Sequence, residues 1–318
     1  MKKNLFLLGM AVAALASCTN EEVTDVARNR AIRFDQFVNN NTRAVQELNQ
    51  VKNFYVFGKA DNVDVFVNER NDVVKYWEVN KTYNFAAYAD GEDGKLEGAT
   101  YDLNSKSITI PSYTPNDAKD LIAAVSDEIT TSDNLTGQQP VNLTFKHMLS
   151  QVKFTFKTDV DDIYTIAISN IKFTAIQTAK GTYSKLATIW TDGISGEYAF
   201  SDIADIAVED GKASCESKLV IPQATTDNIY VKFTATMSGA GLETKTKTFT
   251  ANLKIAENIA DGASPANTWM PGFRYNYTAE ITAKDIDSDL QQITFTPSVE
   301  DWKNTNPEDS KTTPTKKQ

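Results

Sequence analysis

The sequence predicts an all-β protein built from two tandem antiparallel β-sandwich domains. Apolar and polar residues alternate with a period of two in many short segments, which is typical of strands with one buried and one solvated face. Turn residues separate these segments at the spacing of a sandwich of about seven strands. No segment of a dozen residues keeps a 3.6-residue apolar period, so a parallel βαβ architecture is disfavoured.

Residues 1–17 have the composition of a bacterial lipoprotein signal. Lys2 and Lys3 place positive charge before the short apolar run Leu5–Leu15, and small residues then lead to Cys18. A thiol at this point can be linked to a diacylglycerol group through a thioether bond, after which the peptide is cut on the N-terminal side of the cysteine. The run is too short to span a membrane. We therefore expect a mature chain that starts at a lipid-modified Cys18; an ordinary signal peptide with a chance cysteine is the alternative.

Cysteine and histidine chemistry is limited by composition. Only two cysteines and one histidine are present, and Cys18 is used for lipid. Cys215 then lacks an intrachain partner, so we expect no disulfide framework and a packed strand residue rather than a reactive thiol. His147 alone is insufficient for a zinc site of the Cys/His types, and we expect it to form hydrogen bonds within a strand.

The remaining chemistry argues against an enzyme and against nucleic acid as a partner. The formal net charge is −10, which is not the basic footprint of a nucleic-acid-binding protein. Phosphate loops, metal motifs and nucleotide fingerprints are absent, so we expect no cofactor. The tryptophans are expected in buried or capping positions, with stacking on sugars as the less favoured interpretation: Trp77, Trp190, Trp269 and Trp302.

The first part of the mature chain contains a tether and a first strand, followed by an N-terminal domain. Residues 18–43 hold a polar tether and the strand Ile32–Val38, in which Ile32 and Phe34 alternate with polar residues and Phe37 breaks the alternation. Residues 44–138 are assigned to the N-terminal domain. Its predicted strands are Phe54–Phe57, Val63–Val67, Val73–Trp77, Tyr83–Ala89, Ser107–Ile110 and Asp120–Val125, the last preferred over a short helix.

The second part is predicted as a C-terminal domain over residues 139–303, followed by a disordered tail. The boundary lies within the polar segment Ser126–Pro140. A last strand covers Gln292–Val299, and Pro297 places it at a sheet edge because proline has no N–H to donate. Residues 304–318 are rich in Lys, Thr and Pro. The clearest alternating segments are Val152–Phe156, Ile229–Met237 and Tyr275–Ile281.

Several motifs, taken in order, resemble the fimbrillin family of type V pilins. The lipoprotein signal precedes a first strand and Thr42-Arg43-Ala44. Phe145–Phe154 resembles the family's His-x-Leu-Ser/Ala stretch at the start of the second domain, and Asp120–Ala124 resembles the strand that closes the first. Trp269–Tyr277 is similar to its Trp-x-Pro-Gly-x-x-Tyr-x-Tyr segment. The resemblance spans nearly the whole mature chain.

The resemblance implies two transthyretin-like β-sandwich domains and assembly by strand exchange. A lipidated precursor in the outer membrane is cut by a maturation protease after an arginine near the first strand, here between Arg43 and Ala44. The cut releases the first strand, which carries Ile32, Phe34, Phe37 and Val38, and a strand of another pilus subunit fills the vacated groove at the cell surface. The implied partners are other pilus subunits, the protease and a surface ligand on host or bacterial cells.

The last strand is the candidate donor, with Ile293, Phe295 and Val299 as its apolar residues. The polar tail after Trp302 departs from the pattern and leaves the stalk, tip or anchor position of the subunit open. A different class of function is also kept open: an outer-membrane-anchored glycan-binding lipoprotein that retains Cys18, stays monomeric and binds polysaccharide through exposed tryptophans.

Overall fold

The fold was obtained as a computed structural model, which describes residues 30–38, 51–91, 94–136, 138–158, 164–204, 206, 211–225, 229–239, 241–254, 267–287 and 293–301. The strands within these ranges are β1 (Phe34–Val38), β2 (Tyr55–Ala60), β3 (Val63–Arg70), β4 (Thr82–Asp90), β5 (Thr100–Asp102), β6 (Ser107–Tyr113), β7 (Leu121–Val125), β8 (Ile129–Thr130), β9 (Val141–His147), β10 (Ser150–Thr158), β11 (Thr165–Tyr183), β12 (Thr188–Ala199), β13 (Lys212–Ser214), β14 (Lys218–Val220), β15 (Tyr230–Ser238), β16 (Lys245–Asn252), β17 (Phe273–Ile281) and β18 (Thr296–Asp301). A short helix, α1 (Ala283–Asp287), lies between β17 and β18.

The strands form three sheets. The first sheet has seven strands in the order β1-β9-β7-β4-β2-β3, with β8 paired to β4. The second has six in the order β16-β15-β11-β6-β5, with β12 paired to β11. The third has five in the order β13-β10-β17-β18, with β14 paired to β10. Most pairs are antiparallel, but β1 with β9 and β10 with β17 are parallel.

Three apolar clusters hold these sheets together. One cluster lies between the second and third sheets. The other two lie on opposite faces of the first sheet, and one of these fills the space between that sheet and the strands β6 and β11. Strands β4 and β7 contribute to the clusters on both faces of the first sheet, and every residue of β7 is buried. A strand buried on both faces has an almost continuous apolar sequence, which explains why Leu121–Val125 resembles either a strand or a helix.

The all-β prediction is confirmed, and so are most of the individual strands. The predicted strand Val73–Trp77 is wrong: this segment forms only an isolated bridge between Tyr76 and Ala31. Its start is taken up by a turn, because the Val73 N–H bonds to the Arg70 carbonyl. Pro297 lies in β18 at the edge of the third sheet, as its lack of an N–H predicts.

Strand pairing does not follow the boundary expected near residue 138. Strand β9 lies beyond that point but belongs to the first sheet, while β6, which precedes it, pairs with β11 in the second sheet. The division at residue 138 and the transthyretin-like tandem arrangement therefore stay predictions.

The side chain of Gln223 supplies hydrogen bonds to the second sheet at the point where the neighbour of β11 changes from β15 to β6. Residues 165–173 of β11 pair with β15 and residues 179–183 pair with β6. Between them, Ile176 donates its N–H to Oε1 of Gln223 at 2.9 Å and accepts from Nε2 of Gln223 at 3.1 Å. The same amide bonds the Ile221 carbonyl at 3.0 Å. A side-chain amide thus satisfies backbone groups that a neighbouring strand serves elsewhere.

Replacing Gln223 by leucine is expected to lower the free energy of unfolding by about 2 kcal/mol, since it leaves partly buried backbone groups of Ile176 and Ile221 without these bonds. Chemical denaturation measures the change. Gln177→Leu is the matched control on the same strand, with an exposed hydrogen bond to Glu197, and it should change stability by less than about 0.5 kcal/mol. Equal losses in the two variants would contradict the assignment.

Candidate functional site

The first strand lies at an edge of the first sheet, where it pairs with β9 in parallel. Phe34 lies opposite Val141 and Val38 opposite Phe145. The Val141 N–H donates to the Arg33 carbonyl at 2.7 Å. Successive residues of a parallel strand direct their backbone groups to alternate sides, so residues 33, 35 and 37 face β9.

The start of the same segment is held on its other side. Ile32 donates its N–H to the Lys75 carbonyl at 2.9 Å, and Trp77 donates to the Arg30 carbonyl at 2.9 Å. Ala31 and Tyr76 lie opposite each other in this antiparallel bridge. Residues 30–38 therefore occupy a groove with β9 along one wall and the segment Lys75–Trp77 along the other.

The floor of the groove is aromatic. The ring of Phe34 makes edge contacts with the rings of Phe54, Phe66 and Phe85 at centroid distances of 5.9, 5.7 and 5.6 Å. Ile32 is 6% exposed and belongs to the same cluster. Such edge contacts add to the free energy gained by removing apolar surface from water. The groove is thus an apolar site that a strand from the start of the chain fills.

The groove requires a glycine on β2. A Cβ at Gly58 would lie 2.8 Å from the ring of Phe85 and 3.0 Å from the ring of Phe66. These are the rings that contact Phe34, so Gly58 allows the aromatic floor to approach the backbone of β2.

The last strand fills a similar aromatic site in the third sheet. Phe295 is 6% exposed, and its ring lies 5.5 Å from Phe154, 5.8 Å from Phe156 and 5.9 Å from Phe233. Ile293 is buried, and Val299 packs against the same cluster from β18, which pairs with β17 at the end of the described sheet order. Both terminal segments of the described chain are therefore edge segments that place an isoleucine and a phenylalanine in a core.

A family model described as fimbrillin-like matches residues 24–302. The chain belongs to the fimbrillin-like family. Membership places this chain among fimbrial and cell-adhesion proteins rather than among known enzymes, at the cell surface or in a fimbrium, in association with other pilus subunits. Among curated proteins, none matches the sequence.

Several solved structures have a similar fold. A fimbrial protein from Bacteroides vulgatus is 16% identical, with a TM-score of 0.56 over 86% of this chain and 100% of its own. A Bacteroides ovatus protein whose description proposes a role in cell adhesion is 15% identical, with a TM-score of 0.47 over 87% and 99%. The fimbrial anchor protein Mfa2 from Porphyromonas gingivalis is 10% identical, with a TM-score of 0.40 over 86% and 98%. The B. vulgatus structure supports the fold of this fimbrillin-like chain.

Several of the other predicted site residues lie partly or wholly outside the part of the chain that the structure describes. Cys18, Arg43 and Ala44 lie outside the described residues. Phe37 and Val38 belong to β1 through their backbone, and their side chains lie outside the described part of the structure.

The tryptophans give little support to sugar binding by this fimbrillin-like protein. Trp77 and Trp269 are 3% and 0% exposed. Trp190 is partly buried and donates its indole N–H to the Met148 carbonyl at 3.0 Å. Trp302 lies outside the described residues. Two of the four side chains that the glycan-binding alternative depends on are thus in cores.

The lone histidine and the second cysteine are both structural. His147 is buried at the end of β9, and its Nδ1 lies 2.6 Å from Oδ2 of Asp120, as expected of a hydrogen-bonded strand residue. Cys215 is 3% exposed, and its Sγ accepts from the Phe154 N–H at 3.3 Å. Burial raises the pKa of the Cys215 thiol, which disfavours a reactive thiolate.

Among the described residues, no group of three or more His, Cys, Asp or Glu is arranged to hold a metal ion. In the same residues, no helix is long and apolar enough to cross a membrane.

Sequence reasoning missed a buried acid between the first and second sheets. Tyr113 at the end of β6 donates its hydroxyl to Oδ1 of Asp90 at the end of β4, at 2.9 Å. Burial raises the pKa of Asp90, while the hydrogen bond from Tyr113 and the nearby charge of Lys119 act in the opposite direction. The two residues are 23 positions apart in the sequence, so no local pattern indicates that they pair.

Replacing Phe34 by alanine is expected to lower the free energy of unfolding by about 3 kcal/mol, because it leaves a cavity among three aromatic rings. Urea denaturation of the uncut chain measures this. Asp35→Ala, on the exposed side of the same strand, should change stability by less than about 0.5 kcal/mol. Similar small effects in both variants would mean that β1 contributes little to its groove.

Replacing Asp90 by asparagine should stabilise the protein increasingly as the pH rises. A raised pKa means that the folded state binds the Asp90 proton more tightly than the unfolded state, so stability is lost as the pH rises from the ordinary value of 3.8 through the folded pKa. Asparagine removes this loss and still accepts the Tyr113 hydrogen bond. Thermal unfolding between pH 3 and pH 7 measures the difference from wild type.

Asp102→Asn serves as a control of opposite sign. Hydrogen bonds from Ser105 and from the Asn104 N–H lower the pKa of Asp102, so the carboxylate stabilises the fold above its ordinary pKa. The asparagine variant should therefore become relatively less stable as the pH rises. A difference between Asp90→Asn and wild type that stays constant with pH would contradict the role assigned to burial.

Proposed function

We propose that this protein is a structural and adhesive pilus subunit, exported as a lipoprotein and assembled by strand exchange after proteolytic removal of its first strand. The groove is the observation that carries the proposal. Its occupant comes from the start of the chain, pairs at a sheet edge and fills an aromatic floor. Removing that occupant leaves an unpaired edge on β9 and an apolar cleft, and a strand from another subunit restores both.

The distribution of arginine supports a cut after Arg43 by an arginine-specific protease. Four of the six arginines lie at or before residue 43, whereas the sequence beyond it has 24 lysines and two arginines. A surface protease that cuts after arginine therefore has few other possible cleavage sites in the mature chain. This composition does not protect against a protease that reads lysine.

The other arginines among the described residues lie in paired backbone. Arg33 accepts from Val141, so a protease must first displace the strand to extend the chain there. Arg70 ends β3 opposite Tyr55, and Asn71 bonds the Phe54 carbonyl at 3.0 Å. Arg274 lies in β17 between β10 and β18. Cutting after Arg43 therefore removes the first strand without competing cuts inside the sheets.

The donor proposed for the vacated groove repeats the pattern of the first strand. Ile32-x-Phe34-x-x-x-Val38 and Ile293-x-Phe295-x-x-x-Val299 have the same residues at the same spacing. The match holds only when both segments are read in the same direction. The donor therefore takes the polarity of β1, parallel to β9, with Phe295 in the place of Phe34.

This register also accommodates the proline of the donor. Pro297 takes the place of Gln36, and even-numbered residues of the first segment direct their backbone groups away from β9, as the Ile32 bond to Lys75 illustrates. A proline there costs no hydrogen bond to β9. A shift by one residue places Pro297 where the β9 ladder needs a donor and turns Phe295 away from the aromatic floor.

Replacing Arg43 by alanine is expected to stop maturation. Surface protein from wild-type cells should begin at Ala44 and form high-molecular-weight species, whereas the variant should keep its lipidated N-terminus and remain monomeric. N-terminal sequencing, lipid labelling and size analysis of surface protein measure these properties.

Arg28→Ala is the matched control, because it removes an arginine upstream of the strand and should leave both the mature N-terminus and polymer formation unchanged. An Arg43→Ala variant that polymerises normally would rule out the cut as placed. A wild-type surface protein that retains Cys18 and stays monomeric would support the glycan-binding alternative instead.

A further inference from the structure

Under the strand exchange proposed above, on which this inference rests, moving a strand from one subunit to another does not by itself change the number of filled aromatic sites. Before the cut, two Ile-x-Phe segments fill two aromatic sites, with Phe34 in the first sheet and Phe295 in the third. After the cut, each subunit has one such segment and two sites. Moving Phe295 from its own core to the groove of a neighbour fills one site and empties another. Additional contact between subunits is needed to favour the polymer.

The polarity of the donor places the body of its subunit at one end of the groove. In the shared register, Ile293 lies where Ile32 lies, so the residues before Ile293 emerge beside Lys75–Trp77. The helix α1 is fixed to the second sheet of its own subunit, because Lys247 Nζ bonds the Asp285 carbonyl at 2.6 Å and Lys245 pairs with Asp287. From Asp287 to Ile293 the chain spans at most about 20 Å. The donor body must therefore lie close to this end of the groove.

The groove has an unusual surface at that end. Six of the eleven large apolar side chains exposed among the described residues lie between residues 63 and 79. Four of them lie between β3 and β4, in the loop that contains the second wall of the groove, and together they are named the mouth patch: Val73, Val74, Tyr76 and Val79, which are 38%, 61%, 51% and 45% exposed. Clustered apolar exposure of this kind marks an interaction surface, whereas single exposed residues do not.

We propose that the mouth patch is the docking surface for the body of a second copy of this chain, and that burial of the patch favours the strand-exchanged polymer over the cut monomer. Tyr76 has the central position. It lies opposite Ala31 in the bridge that holds the first segment, so it lines the entry of whichever strand occupies the groove. Tyrosine is also among the residues that contribute most to interfaces when they are covered by a partner.

The test separates the strand from the body that carries it. The full chain is cut after Arg43 with an arginine-specific protease, and two reactions are followed: binding of a synthetic peptide with the sequence of residues 293–301, and polymerisation of the cut chain itself. Tyr76→Ser should slow polymerisation by about tenfold or more. It should change peptide affinity less than twofold, because the peptide begins at Ile293, in the place of Ile32, and so has neither a residue opposite Tyr76 nor a body to dock.

Tyr230→Ser is the matched control, since Tyr230 is 49% exposed on β15, which belongs to the second sheet, whereas the groove belongs to the first. It should leave both reactions unchanged. Val74→Ser, paired with Ile194→Ser as a control of similar exposure, repeats the test with a smaller side chain. Urea denaturation of the uncut variants verifies that each one folds.

The outcomes distinguish the two proposals. Polymerisation that is equally fast in Tyr76→Ser, Val74→Ser and their controls, with normal peptide binding, would overturn the docking surface and leave strand exchange intact. A cut chain that binds neither peptide nor subunit would overturn strand exchange itself. Loss of peptide binding in Tyr76→Ser would assign the residue to the groove rather than to the docking of a body.

Discussion

The pairing of the first strand with β9 is the interaction on which the first sheet depends. The strand supplies backbone partners to a sheet edge and, at the same time, the side chains that close an aromatic cluster. Here the hydrogen-bond ladder and the core are coupled through a single short segment, so removing that segment would expose the sheet edge and open the core together.

The all-β fold and the first and last strands could be predicted from the sequence, because both depend on local residue patterns. Alternation predicted β10, β15 and β17, and the lack of an N–H in Pro297 predicted an edge. The first strand was recognisable from Ile32 and Phe34. What local patterns do not contain is the partner of each strand, and the pairing of β6 with β11 joins residues about 70 positions apart.

The groove illustrates the same limit. Its second wall, Lys75–Trp77, has the alternation of a strand but makes only one bridge, because the residues that complete it come from before β1. Its floor combines rings from β3, from β4 and from the loop before β2, and the approach of the β3 and β4 rings to the backbone of β2 depends on Gly58. A single sequence gives no distance between such segments. The repeated Ile-x-Phe pattern is present in the sequence, but the structure is needed to show that each copy packs its isoleucine and phenylalanine into an apolar cluster.

The parallel orientation of β1 and β9 has a consequence for any filament built from this subunit. In the strand exchange proposed above, the groove and the donor are different surfaces of the subunit, so every contact would be heterologous, all subunits would point the same way and the two ends of the filament would be chemically different. In such a filament, a subunit that keeps its own first strand would give a strand but would not receive one. It would therefore end growth in one direction, and the proportion of uncut chains would set the length of the filament.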